Sequence, residues 1–106
     1  MQPSPLTLCN ITQQIIEAEF NLTELTTKQR DSTQLSQARY LYVYVCHSVL
    51  NVPFPVIRNT LTCYQYSKTI YQVFRRAYYR RKEPEFSLNV LWIEKRVRNE
   101  LKRFKT

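Results

Sequence analysis

The sequence has no glycine, a single histidine and only three cysteines among its 106 residues. Each scarcity removes a class of fold or site. Tight β-hairpin turns draw on glycine at positive φ, so a glycine-free chain points toward helices. Cys9, Cys46 and Cys63 are odd in number and show no paired spacing, which argues against a disulfide framework. They read instead as small hydrophobes in a reducing compartment. A zinc site needs about four ligands at set spacings. His47 stands alone and no Cys-x-x-Cys is present, so neither a metal site nor a cofactor is expected. The phosphate-binding pattern GxxxxGK[ST] is also missing, which leaves no basis for ATPase chemistry.

No run approaches the roughly 18 apolar residues that a membrane span requires. The stretch from Met1 to Leu8 lacks the basic region of a secretion signal, so a cytoplasmic setting is expected. Asn10-Ile-Thr12 and Asn21-Leu-Thr23 match the glycosylation sequon, but the match is empty in an unsecreted protein.

What is present fits one folded domain. Apolar residues make up 43% of the chain, too many for a disordered tail. Residues 1–6 read as a disordered tail and residues 7–106 as a single helical domain. The net charge is +8, and it is unevenly placed. Residues 1–67 carry four basic and four acidic residues, whereas residues 68–106 carry twelve basic and four acidic. A one-sided basic field attracts polyanions and steers their approach.

The pattern of apolar residues predicts an all-α fold of five to six helices. Leu8, Ile11, Ile15 and Ala18 recur at helical spacing from about Thr7 to Phe20. Residues 21–25 read as a further short turn of helix. Tyr40-Leu-Tyr-Val-Tyr-Val45 alternates like a strand and is rich in β formers. The longer stripe Leu35, Ala38, Leu41, Val45 and Val49 favours one helix from about Leu35 to Leu50. Asn51-Val-Pro-Phe-Pro55 interrupts the chain and can open a short helix over about Phe54 to Leu61, since proline suits a first turn. A longer helix follows from about Tyr66 to Lys82. The last helix, about Glu85 to Arg103, shows the clearest amphipathic stripe: Phe86, Val90, Ile93, Val97, Leu101 and Phe104.

The helix over 66–82 divides into two faces. Tyr66, Ile70, Val73 and Ala77 fall on one side, with Phe74 beside them. Lys68, Gln72, Arg75 and Tyr79 fall on the other, next to Arg76. These outward groups are the types that bond phosphates and base edges: arginine to guanine, glutamine to adenine, lysine and tyrosine hydroxyl to phosphate. A short helix, a turn and a longer exposed helix over about 53–82 form a central helix-turn-helix.

In this order the segments resemble the C-terminal DNA-binding domain of the bacterial replication initiator DnaA, from about Leu6 to Arg103. Ile11-Thr-Gln-Gln-Ile-Ile-Glu-Ala-Glu-Phe-Asn-Leu-Thr-Glu-Leu25 resembles the family's opening helices. Lys28-Gln-Arg30 resembles its basic loop, and Ala38-Arg39-Tyr40 its Arg-Gln before the long helix. Asn51-Val-Pro-Phe-Pro-Val-Ile57 resembles its Asn-x-Ser-Leu-Pro-x-Ile, with Pro53 at the capping serine. The resemblance implies an all-helical fold of the Trp-repressor type. The family's signature loop, Gly-Gly-Arg-Asp-His-Thr-Thr-Val, has diverged here to Thr62-Cys-Tyr-Gln-Tyr-Ser-Lys-Thr-Ile70. Tyr66 stands at its Asp, Ser67 at its His and Lys68 at its first Thr, while Thr69 is retained. The resemblance implies Arg39 near the minor groove and Lys68 and Thr69 in the major groove. Specificity is expected to differ from the family's or to be weaker.

The leading expectation is therefore a double-stranded DNA-binding module, a monomer or weak dimer. It would act in regulation, in replication or within a mobile element. Its contacts are expected from Arg39, Tyr66, Ser67, Lys68, Thr69, Gln72, Arg75, Arg76 and Tyr79. The alternative is a protein-interaction module on the same fold that binds an acidic partner, which the tyrosine-rich outward helix also suits. No enzyme is expected. Cys46 and His47 are adjacent, and neighbours on a helix point about 100° apart. No carboxylate constellation supports acid–base work.

Overall fold

A computed structural model describes residues 3–26, 33–63 and 67–105; the side chains at 67–69, 104 and 105 lie outside the described set. Every regular element within it is helical.

The first helix, α1, spans Pro5–Glu19. It starts earlier than the hydrophobic stripe indicates. Ser4 is its N-cap, with Oγ accepting from the Thr7 amide at 3.1 Å, and Pro5 fills the first turn. Residues 4–6, expected in the tail, therefore belong to this helix and its cap, while residues 1 and 2 lie outside the described residues. The helix ends in a Schellman motif. The Leu22 amide donates to the Glu17 carbonyl and the Asn21 amide to that of Ala18. Asn21 takes φ 52°, the left-handed conformation that glycine usually supplies. This geometry, with Glu24 also at φ 60°, excludes the short helix expected over 21–25.

Helix α2 spans Thr33–Tyr44 and continues without a break into a π-helical turn, Val45–Val49. The alternating Tyr40–Val45 segment is thus helical. Leu41, Tyr42, Val43, Val45 and Cys46 are all buried, so the helix is covered on most of its circumference. It packs against α4, α1 and the last helix. A helix buried all round has no need of an amphipathic stripe, and β-branched and aromatic residues are admitted for packing rather than propensity. The π-turn ends at Asn51, again at positive φ (59°), where the Val52 amide reaches back to the Cys46 carbonyl at 2.8 Å. Two asparagines thus do what glycine would do at two helix ends.

Helix α3 is short, Phe54–Thr60, with Pro53 at its N-cap. Helix α4 spans Ser67–Arg80. A tight turn returns the chain into α5, Pro84–Leu101, which Pro84 opens rather than merely ending its predecessor. A 3₁₀ turn, Lys102–Lys105, follows. On α5 the expected stripe is buried at Phe86, Val90, Ile93 and Val97 and half-buried at Leu101, while Phe104 lies outside the described side chains.

Cys9 and Thr12 of α1, Tyr42 of α2 and Cys46 of the π-turn meet in the centre, all fully buried. The Tyr42 hydroxyl and the Thr60 hydroxyl lie 2.6 Å apart. Burial holds the Tyr42 phenol well above its ordinary pKa and pushes the Cys46 thiol up, while hydrogen bonding from Cys46 lowers that of Cys9. Among the described residues no buried side-chain polar atom lacks a hydrogen-bond partner.

Two predictions follow from these features. Asn51→Ala should lower stability by about 1 to 2 kcal/mol, because alanine pays the left-handed steric cost, while Asn51→Gly should be neutral or better. Urea titration followed by circular dichroism distinguishes the two. The folded chain keeps Tyr42 and Cys46 neutral, whereas the unfolded chain ionises them above about pH 8.5 to 10. Their contribution is thus present below that range and lost as pH rises. Stability should fall between roughly pH 9 and 11, and a flat profile there would contradict it.

Candidate nucleic-acid interface

Helix α4 lies against α2, with Ile70, Val73 and Ala77 buried. Phe74, half-buried, stands within a ring cluster from three elements: Tyr44 of α2, His47 of the π-turn and Phe54 of α3. His47 stacks on Phe54 with ring centroids 3.7 Å apart, and its Nδ1 is 2.9 Å from the Val52 carbonyl oxygen. The imidazole is thus committed to joining the π-turn to α3. Its neighbour Cys46 is fully buried.

The other side of α4 faces outward. Gln72, Arg75, Arg76 and Tyr79 are exposed together, and Tyr71 and Tyr78 flank them. No acidic residue occurs between Ser67 and Arg80. Arg75 and Arg76 form no ion pair among the described residues. The helix therefore offers an unneutralised basic surface interleaved with amide and phenol groups.

The five-residue basic cluster from Arg75 to Lys82 is not uniform. The Arg80 guanidinium lies over the Tyr40 ring, 4.9 Å from its centroid. That of Arg81 lies 3.5 Å over Tyr78, and its Nη1 donates to the Tyr78 carbonyl at 2.7 Å. These two arginines close the C-terminal end of α4, where cations suit the helix dipole and the rings. Arg75, Arg76 and Lys82 are the exposed cations of the cluster.

Sequence reasoning missed Arg58. It is exposed on α3 and, with Asn59, Phe54, Pro55, Ile70 and Tyr71, lines an open groove of about 220 Å³ between α3 and α4. It carries no periodic signal, because only the packing of α3 on α4 brings it beside the outward face.

The remaining expected contacts separate. Tyr66 lies outside the described residues. Ser67, Lys68 and Thr69 form the first turn of α4, and their side chains lie outside the described set.

Arg39, expected near a minor groove, is in the interior. It is 1% exposed, and its Nε donates to the Leu25 carbonyl at 2.8 Å. The residues around this bond form a tie between distant parts of the chain. The Leu25 amide donates to the Glu17 carboxylate at 3.0 Å. The next residue, Thr26, accepts at its carbonyl from the Cys63 amide at 3.0 Å and from the Thr62 hydroxyl at 3.4 Å. Arg39 thus anchors the segment on which the turn before α4 hangs. In this structure it holds the segment that bonds Thr62 and Cys63, just after α3, and does not belong to the exposed surface.

Among the described residues no helix is long and apolar enough to cross a membrane, and no group of three His, Cys, Asp or Glu side chains gathers as a metal site. The chain matches no family model, no curated protein and no solved structure.

Arg39→Ala should lower the melting temperature by ten degrees or more, since removing a buried charged hydrogen-bond donor costs about 2 to 4 kcal/mol in a small domain. Arg75→Ala should shift it by at most a few degrees. Thermal unfolding by circular dichroism checks both, and an unchanged Arg39→Ala would contradict the buried role.

Proposed function

We propose that this chain is a double-stranded DNA-binding module that presents the outer face of α4 to the major groove. The observation that carries the reading is that face: Gln72, Arg75, Arg76 and Tyr79 exposed on a helix without a single acidic residue, backed by Ile70, Val73 and Ala77 in the core. Helix α3 precedes it across a turn, as in a helix-turn-helix, whose second helix enters the groove while the first crosses the backbone. Arg58 at the α3–α4 groove is then a phosphate contact. The resemblance of the sequence to the DnaA C-terminal domain supports the same docking. The loss of that family's glycines and base-reading residues supports a different or weaker specificity. Arg39 acts indirectly here, by holding the segment that bonds the chain just after α3.

A second reading rests on a separate observation. Tyr71, Tyr78 and Tyr79 are 58%, 44% and 62% exposed on the same helix. Exposed tyrosine beside arginine is also what protein interfaces use, and an acidic protein would complement the charge.

Fluorescence anisotropy with a labelled duplex tests the first reading. Affinity should fall with salt on a log–log slope of about −3 to −5, as three to five phosphate contacts require. Arg75→Ala and Arg76→Ala should each weaken binding about tenfold, with Arg58→Ala lowering the slope by about one. An absence of binding near 50 mM salt overturns the reading, and a pull-down of an acidic protein partner would then favour the second.

A further inference from the structure

Helix α5 carries a second unusual surface, on the side away from the core. With Phe86, Val90, Ile93 and Val97 turned inward, a helix of about 100° per residue places Leu88, Trp92 and Lys95 on the opposite side, with Leu91 beside them. Leu88, Leu91 and Trp92 are 67%, 59% and 49% exposed. Scattered exposed apolar residues are ordinary, but three at i, i+3 and i+4 make one contiguous strip.

The charges of α5 narrow the choice of occupant. Arg96 pairs with Glu19 of α1 at 2.9 Å, and Arg98 pairs with Glu94 at 3.3 Å. Glu100 pairs with Arg103 at 3.6 Å. Within α5 this leaves one acid, Glu85, and one base, Lys95, both exposed and without an ion pair among the described residues. They sit five positions on either side of residue 90. Leu88 and Trp92 sit two positions on either side of it. The strip is therefore complementary to itself when reversed.

We infer that this strip is a self-association surface, on which α5 of a second copy packs antiparallel about a two-fold axis that crosses the strip at the level of position 90. Leu88 then meets the partner's Trp92, and Lys95 meets the partner's Glu85, each contact occurring twice. A two-fold interface must be self-complementary in this way. A foreign partner requires no such symmetry in the strip. The apolar area amounts to roughly 300 Å² per copy, well under the ~800 Å² per partner of a standard stable interface. Two chains of charge +8 also repel one another. The dimer is consequently weak, with a dissociation constant on the order of 100 µM. The surface meets α4 only where Glu85 shares an open cavity with Arg80, and it includes none of the exposed groups Gln72, Arg75, Arg76 and Tyr79 on which the DNA reading rests.

Analytical ultracentrifugation of the whole chain from about 10 µM to 1 mM provides the test, spanning the expected constant. The chain holds a single tryptophan, Trp92, so its emission reports the same equilibrium and should shift to the blue as concentration rises. Leu88→Gln with Leu91→Gln should abolish the dimer while helical circular dichroism is retained. Glu85→Lys and Lys95→Glu should each weaken it about tenfold, since two attractive pairs become two repulsive ones. The combined Glu85→Lys, Lys95→Glu chain should return to within about threefold of the original. A chain that stays monomeric throughout overturns the proposal. So does a dimer indifferent to these substitutions, or a charge-swapped chain as weak as its single variants. Duplex binding at low protein concentration should be unaffected by Leu88→Gln with Leu91→Gln, so failure of either proposal is told from failure of the other.

Discussion

The bond from Arg39 to the Leu25 carbonyl is the constraint around which the rest is arranged. A guanidinium is costly to bury and is retained only where its donors are engaged. Here it fixes a segment with no regular structure of its own, residues 20–26. The Gln34 side chain, donating to the Phe20 carbonyl at 3.0 Å, and the Glu17 carboxylate hold the same segment from other sides. Through Thr26 the segment carries the turn at Thr62 and Cys63, and beyond that turn lies α4. One buried cation thus links α1, α2 and the chain just after α3.

Around this tie the chain solves its lack of glycine with asparagine. Asn21 and Asn51 accept positive φ at the ends of α1 and of the π-turn, because their short polar side chains tolerate the left-handed region better than most. Both sites let a helix stop abruptly and redirect the chain into the core. The π-turn itself gives His47 the position from which it stacks on Phe54 and touches the edge of Phe74. That aromatic cluster seats α3 and α4 on α2. The proposed docking helix is therefore held by ring packing on its inner side, while the Leu25–Thr26 tie holds the chain at Thr62 and Cys63, just after α3.

The sequence was most legible where an element has one buried face and one wet face. Helices α4 and α5 obey that rule, and their core residues were read from spacing alone. It was least legible at α2, where the burial of Leu41 through Val43 erases the stripe and imitates a strand. The segment 21–25 misled for another reason: its apolar residues are helical in spacing, but Asn21 and Glu24 at positive φ fold it into a connection. Arg39 illustrates a different limit. An arginine within a helix is ordinarily a surface group, and the arrival of Leu25 from fourteen residues away helps make this one an interior residue.

By itself the sequence determined the helical class, the inward faces of α4 and α5, and the concentration of positive charge in the C-terminal third. Those properties are local or compositional, set by side-chain periodicity and by counting. Tertiary structure decided which cations remain outside. It buried Arg39, laid Arg80 and Arg81 against tyrosine rings, left Arg75, Arg76 and Lys82 exposed, and brought Arg58 to their side of the molecule. It also consumed the other charges of α5 in ion pairs and left Glu85 and Lys95 flanking an apolar strip. Whether a charge meets solvent or a partner depends on groups distant in the chain, and no local pattern encodes where those will lie.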